Sequence, residues 1–232
     1  GARGVRHRRS LHGRWGVYAR MIEDIIRSRR SVRRYKPERP GRNQIEKLIE
    51  VASCAPSASN KQPWRFFVVD DGAVIGRMAD AVQQAVDRVA AHVEPSFADA
   101  FRAYGDYFVR FREAPVLIVP AFKELVVLSN LVDAGIAADD RARIGVMEFN
   151  SGLTSTSLAI QNLMLYAHSI GLGSSCMTGP LLAADDIKRM LDIPATWHIA
   201  AFIPLGYAAE APKPVSRKAV DTVIRWVGGQ ND

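Results

Sequence analysis

The sequence predicts an α+β fold, in which helices pack on a small sheet. Three apolar runs have the length of buried strands, at residues 65–69, 115–122 and 198–207. Segments with helical spacing separate them, but without the strict βαβ alternation of a doubly wound sheet. The longest helical segment, 151–171, carries small or apolar residues on most sides. Such a helix must be buried all round, inside the domain or against a second subunit.

The first two elements are predicted to be helices. Isoleucines within residues 22–26 form one face of a short amphipathic helix that ends near Arg29. Asn43, with Glu46 three residues later, matches a capping box. We therefore expect a second helix to begin at this pair.

Further helices are predicted at 74–92, 97–112 and 185–191 from their apolar spacing. Residues 123–147 combine an apolar start with a charged patch and match no single period. We expect a loop or a mobile insertion there. The C-terminal residues 213–226 are predicted to be extended or strand-like.

The composition is that of an ordinary globular protein, with 48% hydrophobic and 24% charged residues among 232. No apolar run approaches the roughly 18 residues of a membrane helix, so no membrane partner is expected. The two cysteines, Cys54 and Cys176, match no metal-ligand spacing. Because such sparse usage fits a reducing compartment, the prediction is a cytoplasmic protein without a metal site.

The basic charge is concentrated at the N-terminus. The chain has a formal net charge of +7, and residues 1–20 contain six arginines and no acidic residue. Such an arm can bind nucleic acid or a membrane surface, but the nearly neutral remainder argues against a nucleic-acid-binding protein. Because Met21 would make a natural start, residues 1–20 are interpreted as a disordered tail of upstream sequence or a cloning remnant. A single domain is expected at 21–232.

A second arginine cluster follows the first predicted helix. It consists of Arg27, Arg29, Arg30, Arg33 and Arg34, with Ser31 among them. Gathering like charges costs free energy unless an anion lies opposite, and arginine forks bind phosphate bidentately. The alternative is a solvated helix end, where cations suit the helix dipole. The residues alone leave both interpretations open.

The segment 53–69, SCAPSASNKQPWRFFVV, is unusual for a connection between a helix and a strand. A simple turn needs a Gly or a Pro-Gly pair, whereas this segment offers short hydrogen-bonding side chains, an indole and a backbone stiffened by prolines. These groups suit a flat polar ligand. No catalytic triad accompanies them, and GLGSSC at 171–176 lacks the third glycine and the preceding strand of a dinucleotide fingerprint. We therefore expect a bound cofactor to carry the chemistry.

An aromatic stripe occupies the predicted helix 97–112. Its members, spaced three or four residues apart, are Phe97, Phe101, Tyr104, Phe108 and Phe111. Such a stripe is most often core. The alternative is a pocket wall over a flat cofactor, for which Tyr104, Phe108 and Phe111 are the candidates.

Four stretches together resemble the nitroreductase family of FMN-dependent oxidoreductases. They are RRSVRRY (29–35), APSASNKQPWRFFVV (55–69), GLGSSCMTGP (171–180) and PVSRKAV (214–220). The resemblance implies a nitroreductase-like mixed sheet wrapped by helices, built as an intimate homodimer with FMN at the subunit interface. The helix without a polar face then resembles the dimer-core helix of that family.

The resemblance also implies roles for single residues. The FMN phosphate would be bound by Arg29, Arg30, Ser31 and Arg217. Arg33 would lie beside the N1/O2 edge of the flavin, where a cation stabilises the reduced ring. The flavin would be lined by Pro56, Ser57, Ala58 and Asn60, in part from the partner subunit, with Gln62 holding the loop or the ribityl chain. Met177, Thr178 and Gly179 would lie near N5, and some relatives carry Glu where this chain has Thr178.

The activity that this resemblance implies is reduction of nitroaromatic, quinone or similar electron-poor small molecules by NADH or NADPH, through ping-pong hydride transfer on FMN. No protein acid or base is needed, which matches the missing triad. Specialised branches of the same fold stay open as alternatives: a flavin-fragmenting enzyme, a reductive dehalogenase or an azoline-type dehydrogenase.

Overall fold

A small sheet lies at the centre of the fold. The structure, a computed structural model, describes residues 5–228, with side chains from residue 16 onward. The strands are β1 (Trp64–Val69), β2 (Val116–Phe122), β3 (Gly173–Ser174), β4 (His198–Ile199) and β5 (Ile203–Gly206). Their order is β1-β2-β5-β3, with β4 paired to β2, and these strand pairs are antiparallel. An isolated parallel bridge joins Ser31 to Ser174, which makes the sheet mixed.

Helices cover both faces of this sheet and confirm the α+β prediction. They are α1 (Val5–Ser28), α2 (Arg42–Ala52), α3 (Gly72–Ala90), α4 (Ala98–Gly105), α5 (Ala138–Ser169) and α6 (Ala184–Met190). The Asp71 carboxylate caps α3 by accepting hydrogen bonds from two backbone N–H groups, at 2.7 and 3.3 Å. The predicted capping pair of α2 is wrong by two residues, because Gln44 Oε1 accepts from the Gly41 N–H at 2.9 Å.

Strand β2 forms the centre of the core because all seven of its residues are buried. Its side chains alternate between two apolar clusters. Leu117 and Val119 pack on the side of α3, whereas Ile118 and Phe122 pack on the side of α2 and α5. The continuous apolar run that predicted this strand therefore reflects burial on both faces.

The contact between α5 and the end of β2 requires a glycine. A Cβ atom on Gly152 would overlap the backbone carbonyl oxygen of Lys123 and lie 3.0 Å from the Phe122 ring. Since the obstacle is backbone, it cannot move aside as a flexible side chain would. Gly152 thus sets the distance between the long helix and the sheet.

The predicted single helix 97–112 is wrong. Helix α4 ends at Gly105, and a separate 3₁₀ turn occupies Arg110–Glu113. A Cβ at Gly105 would lie 2.6 Å from Val86 of α3, so the chain meets α3 closely where α4 ends. The aromatic stripe is divided as a result: Phe111 is fully buried in the core, while Phe97 is 65% exposed.

Residues 123–147 are only partly the predicted loop. Helix α5 starts at Ala138 rather than 151, so the last ten of the 25 residues in this segment are helical. The remaining loop donates two backbone hydrogen bonds to the buried carboxylate of Glu148 on α5. The donors are the Val127 N–H at 2.6 Å and the Ser129 N–H at 3.1 Å. These bonds fasten the loop to α5, so it is not a free insertion.

The remaining differences concern strand and helix ends. The predicted strand 198–207 is divided into β4 and β5, and the segment 213–226 contains a 3₁₀ turn but forms no strand. Helix α1 begins at Val5, so the predicted boundary at residue 20 lies inside a helix. Residues 1–4 of the predicted tail lie outside the described residues.

Two helices expose apolar side chains in the single chain. On α1 these include Val17, Met21, Ile22 and Ile26, and on α5 they include Val146, Met147 and Leu158. Exposed apolar surface of this extent is typical of an interface, and the predicted homodimer would cover it. Among the described residues, no helix is both long and apolar enough to cross a membrane.

Candidate functional site

The end of α1 and the end of α5 enclose a cavity of about 360 Å³, which we call the arginine cavity. It is lined by Ser28, Arg29, Arg30, Val32, His168, residues 171–174 and residues 208, 211 and 212. The local fold brings these groups together, because the Val32 N–H donates to the Ser174 carbonyl at 3.1 Å. Gly173 permits this approach, since a Cβ there would lie 2.7 Å from the Val32 side chain.

The electrostatics of the arginine cavity favour an anion. Burial, then the neighbouring guanidinium groups of Arg217 and Arg30, lower the pKa of Arg29. Arg217 therefore lies near Arg29, although 188 residues separate them in sequence. No acidic side chain is among the described residues that line the cavity. Clustered cations without a counter-charge repel one another, so a bound anion would stabilise them.

Arg30 and Arg33 make contacts other than those that the sequence predicts for them. Arg30 Nη1 donates to the carbonyls of Arg27 and Arg29 at 2.5 and 2.9 Å, so part of this guanidinium caps the C-terminus of α1. The backbone N–H of Arg33 donates to Glu210 Oε1 at 3.0 Å, and its side chain is exposed. The helix-end interpretation thus describes part of Arg30, and the anion site stays a prediction.

The segment after α2 holds an unusual backbone. Ser59, Asn60 and Gln62 have φ values of 50°, 52° and 46°, the left-handed region that costs non-glycine residues on the order of 1 kcal/mol or more each. Side chains maintain this conformation: Ser57 Oγ accepts from the Gln62 N–H at 3.0 Å, and Gln62 Nε2 donates to Asn60 Oδ1 at 3.3 Å. Strain of this kind is typical of ligand-binding loops.

Helix α5 anchors this loop through a residue that the sequence analysis missed. Ser155 Oγ accepts from the Ala58 N–H at 3.3 Å and donates to the Ser151 carbonyl at 2.7 Å. A small polar residue on a largely apolar helix was the available signal. The loop and the helix enclose a mostly apolar groove of about 890 Å³, the α5 groove, lined by Pro56, Ser57, Ala58, Ala142, Arg143, Val146, Met147, Asn150, Ser151, Thr154, Ser155 and Leu158.

The third predicted segment, Met177–Gly179, lies beside the aromatic residues. Met177 exchanges two backbone hydrogen bonds with Phe202, at 2.9 and 2.8 Å, and this pairing fixes the segment on the sheet. The Phe108 ring lies against Gly179, where a Cβ would overlap it, and Tyr104 meets Phe108 edge-on at 4.9 Å. Phe108 therefore contacts Gly179 directly and Tyr104 packs on Phe108, while their role as a pocket wall stays a prediction. Phe111 is fully buried in the core, so in this chain it exposes no surface to a pocket.

The fold is that of an α+β domain, and the comparison with known families makes its class specific. The model of the nitroreductase family matches residues 26–207. The chain therefore belongs to the nitroreductase family, and it is an oxidoreductase of that family.

Relatives of known name differ in activity. An NADH dehydrogenase of Thermus thermophilus is 28% identical over 85% of this chain and 92% of its own. An iodotyrosine deiodinase of Thermotoga neapolitana is 26% identical over 84% and 92%. A 5,6-dimethylbenzimidazole synthase of Rhodospirillum rubrum is 26% identical over 82% of each chain.

Solved structures share the fold over nearly the whole domain. A BluB-like flavoprotein of Clostridium difficile matches with a TM-score of 0.79 and 26% identity, covering 89% of this chain and 98% of that one. A nitroreductase of Desulfitobacterium hafniense with bound FMN matches with a TM-score of 0.67 and 21% identity, covering 89% and 97%.

Proposed function

We propose that this protein is an FMN-dependent oxidoreductase that uses NADH or NADPH to reduce an electron-poor small molecule such as a nitroaromatic or a quinone. The observation that carries the proposal is the arginine cavity, which Arg29 and Arg30 line with no acidic side chain among its described lining residues, while Arg217 lies near Arg29. A phosphate group supplies the missing negative charge. FMN bound in a structural neighbour and the NADH dehydrogenase among the relatives support the choice of FMN and of the electron donor.

The residues present fit the two ends of FMN. Arg29, Ser31 and Arg217 would bind the phosphate, and Arg30 would add the N–H groups that α1 does not use. From there the chain leads through β3 to Met177–Gly179, which would meet the ring near N5. Arg33 would hold a positive charge at the edge of the ring.

The α5 groove is too far along the helix to serve the same FMN. Ser155 and His168 are separated by 13 residues of α5, which is about 20 Å of helix rise. The ribityl chain of FMN does not reach that far. We infer that the loop at Pro56–Gln62 covers a flavin bound at the arginine cavity of a second subunit, so that a homodimer holds two shared sites.

When bound, FMN would supply the hydride chemistry between the nucleotide and the acceptor. The chain's own residues would position and shield it. The backbone N–H groups of the 177–179 segment could donate toward the ring edge, with Thr178 adding a hydroxyl in place of a carboxylate. Phe108 and Tyr104 would exclude water from the exposed face.

The test is a spectrum of the purified protein, followed by anaerobic titration with NADH and with NADPH. We expect a yellow protein with one FMN per chain, bleached by at least one nucleotide and reoxidised by a nitroaromatic or a quinone. A colourless protein that takes up no added FMN would overturn the proposal.

A flavin-fragmenting activity is the second candidate. It is supported by the TM-score of 0.79 to the BluB-like flavoprotein, compared with 0.67 for the FMN-bound nitroreductase, and by the 5,6-dimethylbenzimidazole synthase among the relatives. Incubating the protein with FMN, NADPH and oxygen distinguishes the two. Formation of 5,6-dimethylbenzimidazole with loss of flavin would favour this branch, and intact flavin after many turnovers would exclude it.

A further inference from the structure

We propose that His168 is a further phosphate-binding residue of the FMN site, held in place by Ser28, and that it takes up a proton when the phosphate binds. The inference rests on the proposed function, because it assigns a residue of this chain to the phosphate end of FMN.

The position of His168 is the first observation. It is the residue before the last one of α5, Ser169, and it lines the arginine cavity together with Arg29 and Arg30. A histidine that only completed a core would face apolar neighbours. This one faces the group of cations to which an anion is expected to bind.

Ser28 fixes the ring and its tautomer. His168 Nε2 lies 2.8 Å from Ser28 Oγ, and the Ser28 hydroxyl lies 2.6 Å from the Asp24 carbonyl. A hydroxyl has a single hydrogen, and the short contact to the carbonyl requires Ser28 to donate there. His168 must therefore donate its Nε2–H to Ser28. The other ring nitrogen, Nδ1, is left to take up a proton.

The charges around His168 decide when that proton is bound. Burial, then Arg29 and Arg30, lower the pKa of His168 in the free protein. Beyond these two, Arg217 lies near Arg29, and the lining residues of 171–174 and of 208, 211 and 212 carry no ionisable side chain. A phosphate dianion would reverse the sign of the nearest charge, so it would raise this pKa. Binding and protonation are then linked, and each favours the other.

The linkage predicts how FMN affinity depends on pH. With one linked proton, affinity gains at most about tenfold per pH unit as the pH falls between the pKa of free and of bound His168. The phosphate itself also titrates near pH 6. A variant that lacks the imidazole but keeps the phosphate therefore isolates the contribution of the histidine.

The experiment measures the Kd of FMN and of riboflavin, which has no phosphate, for the wild type and for His168→Gln between pH 5.5 and 8.5. The glutamine can still donate an N–H to Ser28 but cannot titrate. Ser169→Ala is the matched control, because that exposed hydroxyl donates to the Tyr166 carbonyl of its own helix.

We expect His168→Gln to weaken FMN binding about tenfold at pH 5.5 and little at pH 8.5, with riboflavin binding unchanged at both. NMR of the histidine ring protons should show the pKa of His168 rising when FMN or inorganic phosphate is added. Equal loss for FMN and riboflavin, or a loss independent of pH, would overturn the inference and leave the proposed function intact. A wild type that binds neither flavin would overturn both.

Discussion

The two ends of α5 differ in how well their structure could be predicted from the sequence. At the C-terminal end, the arginine cavity gathers residues whose chemistry is visible in the sequence, because several arginines stand together. At the N-terminal end, residues 138–147 match no period in the sequence yet form helix. Their helical state depends on tertiary partners, above all the Glu148 bonds to the 127–129 loop and the close contact at Gly152. Clustered arginines were therefore visible in the sequence, whereas the helix beside them was not.

The largest expected effect tests the scaffold at Gly152. Gly152→Ala should destabilise the protein by about 3 kcal/mol, because its Cβ would overlap the Lys123 carbonyl and the strand cannot yield without losing its pairing. Urea unfolding monitored by circular dichroism measures the change. Gly145→Ala, on the same helix with open space around its Cβ, is the control and should be neutral or stabilising. Equal behaviour of the two variants would refute the close contact.

The next effect tests the arginine cavity. Arg29→Ala should weaken FMN binding by about 1.5–3 kcal/mol, the range for a hydrogen bond to a charged group. Arg30→Ala should cost less than Arg29→Ala, since Arg30 also bonds the carbonyls that end α1. Arg34→Ala, exposed and outside the cavity, is the control. Fluorescence titration of FMN ranks the three, and unchanged affinity in Arg29→Ala would make the cluster a solvated helix end.

Most of the sheet could be predicted, the cofactor-binding residues stay a prediction, and the failures have physical causes. Strand β2 could be predicted because it is buried on both faces. The 53–69 segment was recognised as unusual because its composition suits no ordinary turn. The prediction of a single helix at 97–112 was wrong because the even spacing of the aromatic residues suggested one helix. In the structure α4 ends at Gly105, against Val86, and Phe111 lies in the core. Ser155 was missed because its role depends on a loop 97 residues away in sequence.

A smaller effect concerns pH and the loop fastened by Glu148. Burial raises the pKa of Glu148, but hydrogen bonds from Ser129 and from nearby backbone N–H groups outweigh it and leave the pKa below its ordinary value. This stabilisation is present above the ordinary glutamate pKa and is lost as the pH falls through the lowered one. Glu148→Gln should lower stability by about 1 kcal/mol at pH 7 and flatten the acid limb of the stability profile. An acid limb identical to the wild type would contradict this assignment.

The smallest effect concerns the wall at Gly179. Phe108→Ala should leave FMN bound and alter the ratio of kcat/KM between a nitroaromatic and a quinone by a few-fold, because that ratio reports differential binding in the transition state. Phe97→Ala, at an exposed position, is the control. Loss of flavin in Phe108→Ala would identify the ring as core support, and an unchanged ratio would place the pocket wall elsewhere.

The central claim is that one subunit binds the phosphate while its partner's loop covers the flavin. Two variants are needed: Arg29→Ala, and a loop variant with Ser57→Ala and Asn60→Ala. Each homodimer should bind FMN weakly at both sites. They are then combined as differently tagged chains, and the heterodimer is purified.

In the heterodimer, the shared arrangement places both defects in one site and leaves the other site intact. Equilibrium dialysis should therefore find one tightly bound FMN per heterodimer, with affinity close to the wild type. If each subunit instead built its own complete site, both sites would be damaged. A heterodimer without any tight FMN site would contradict the account.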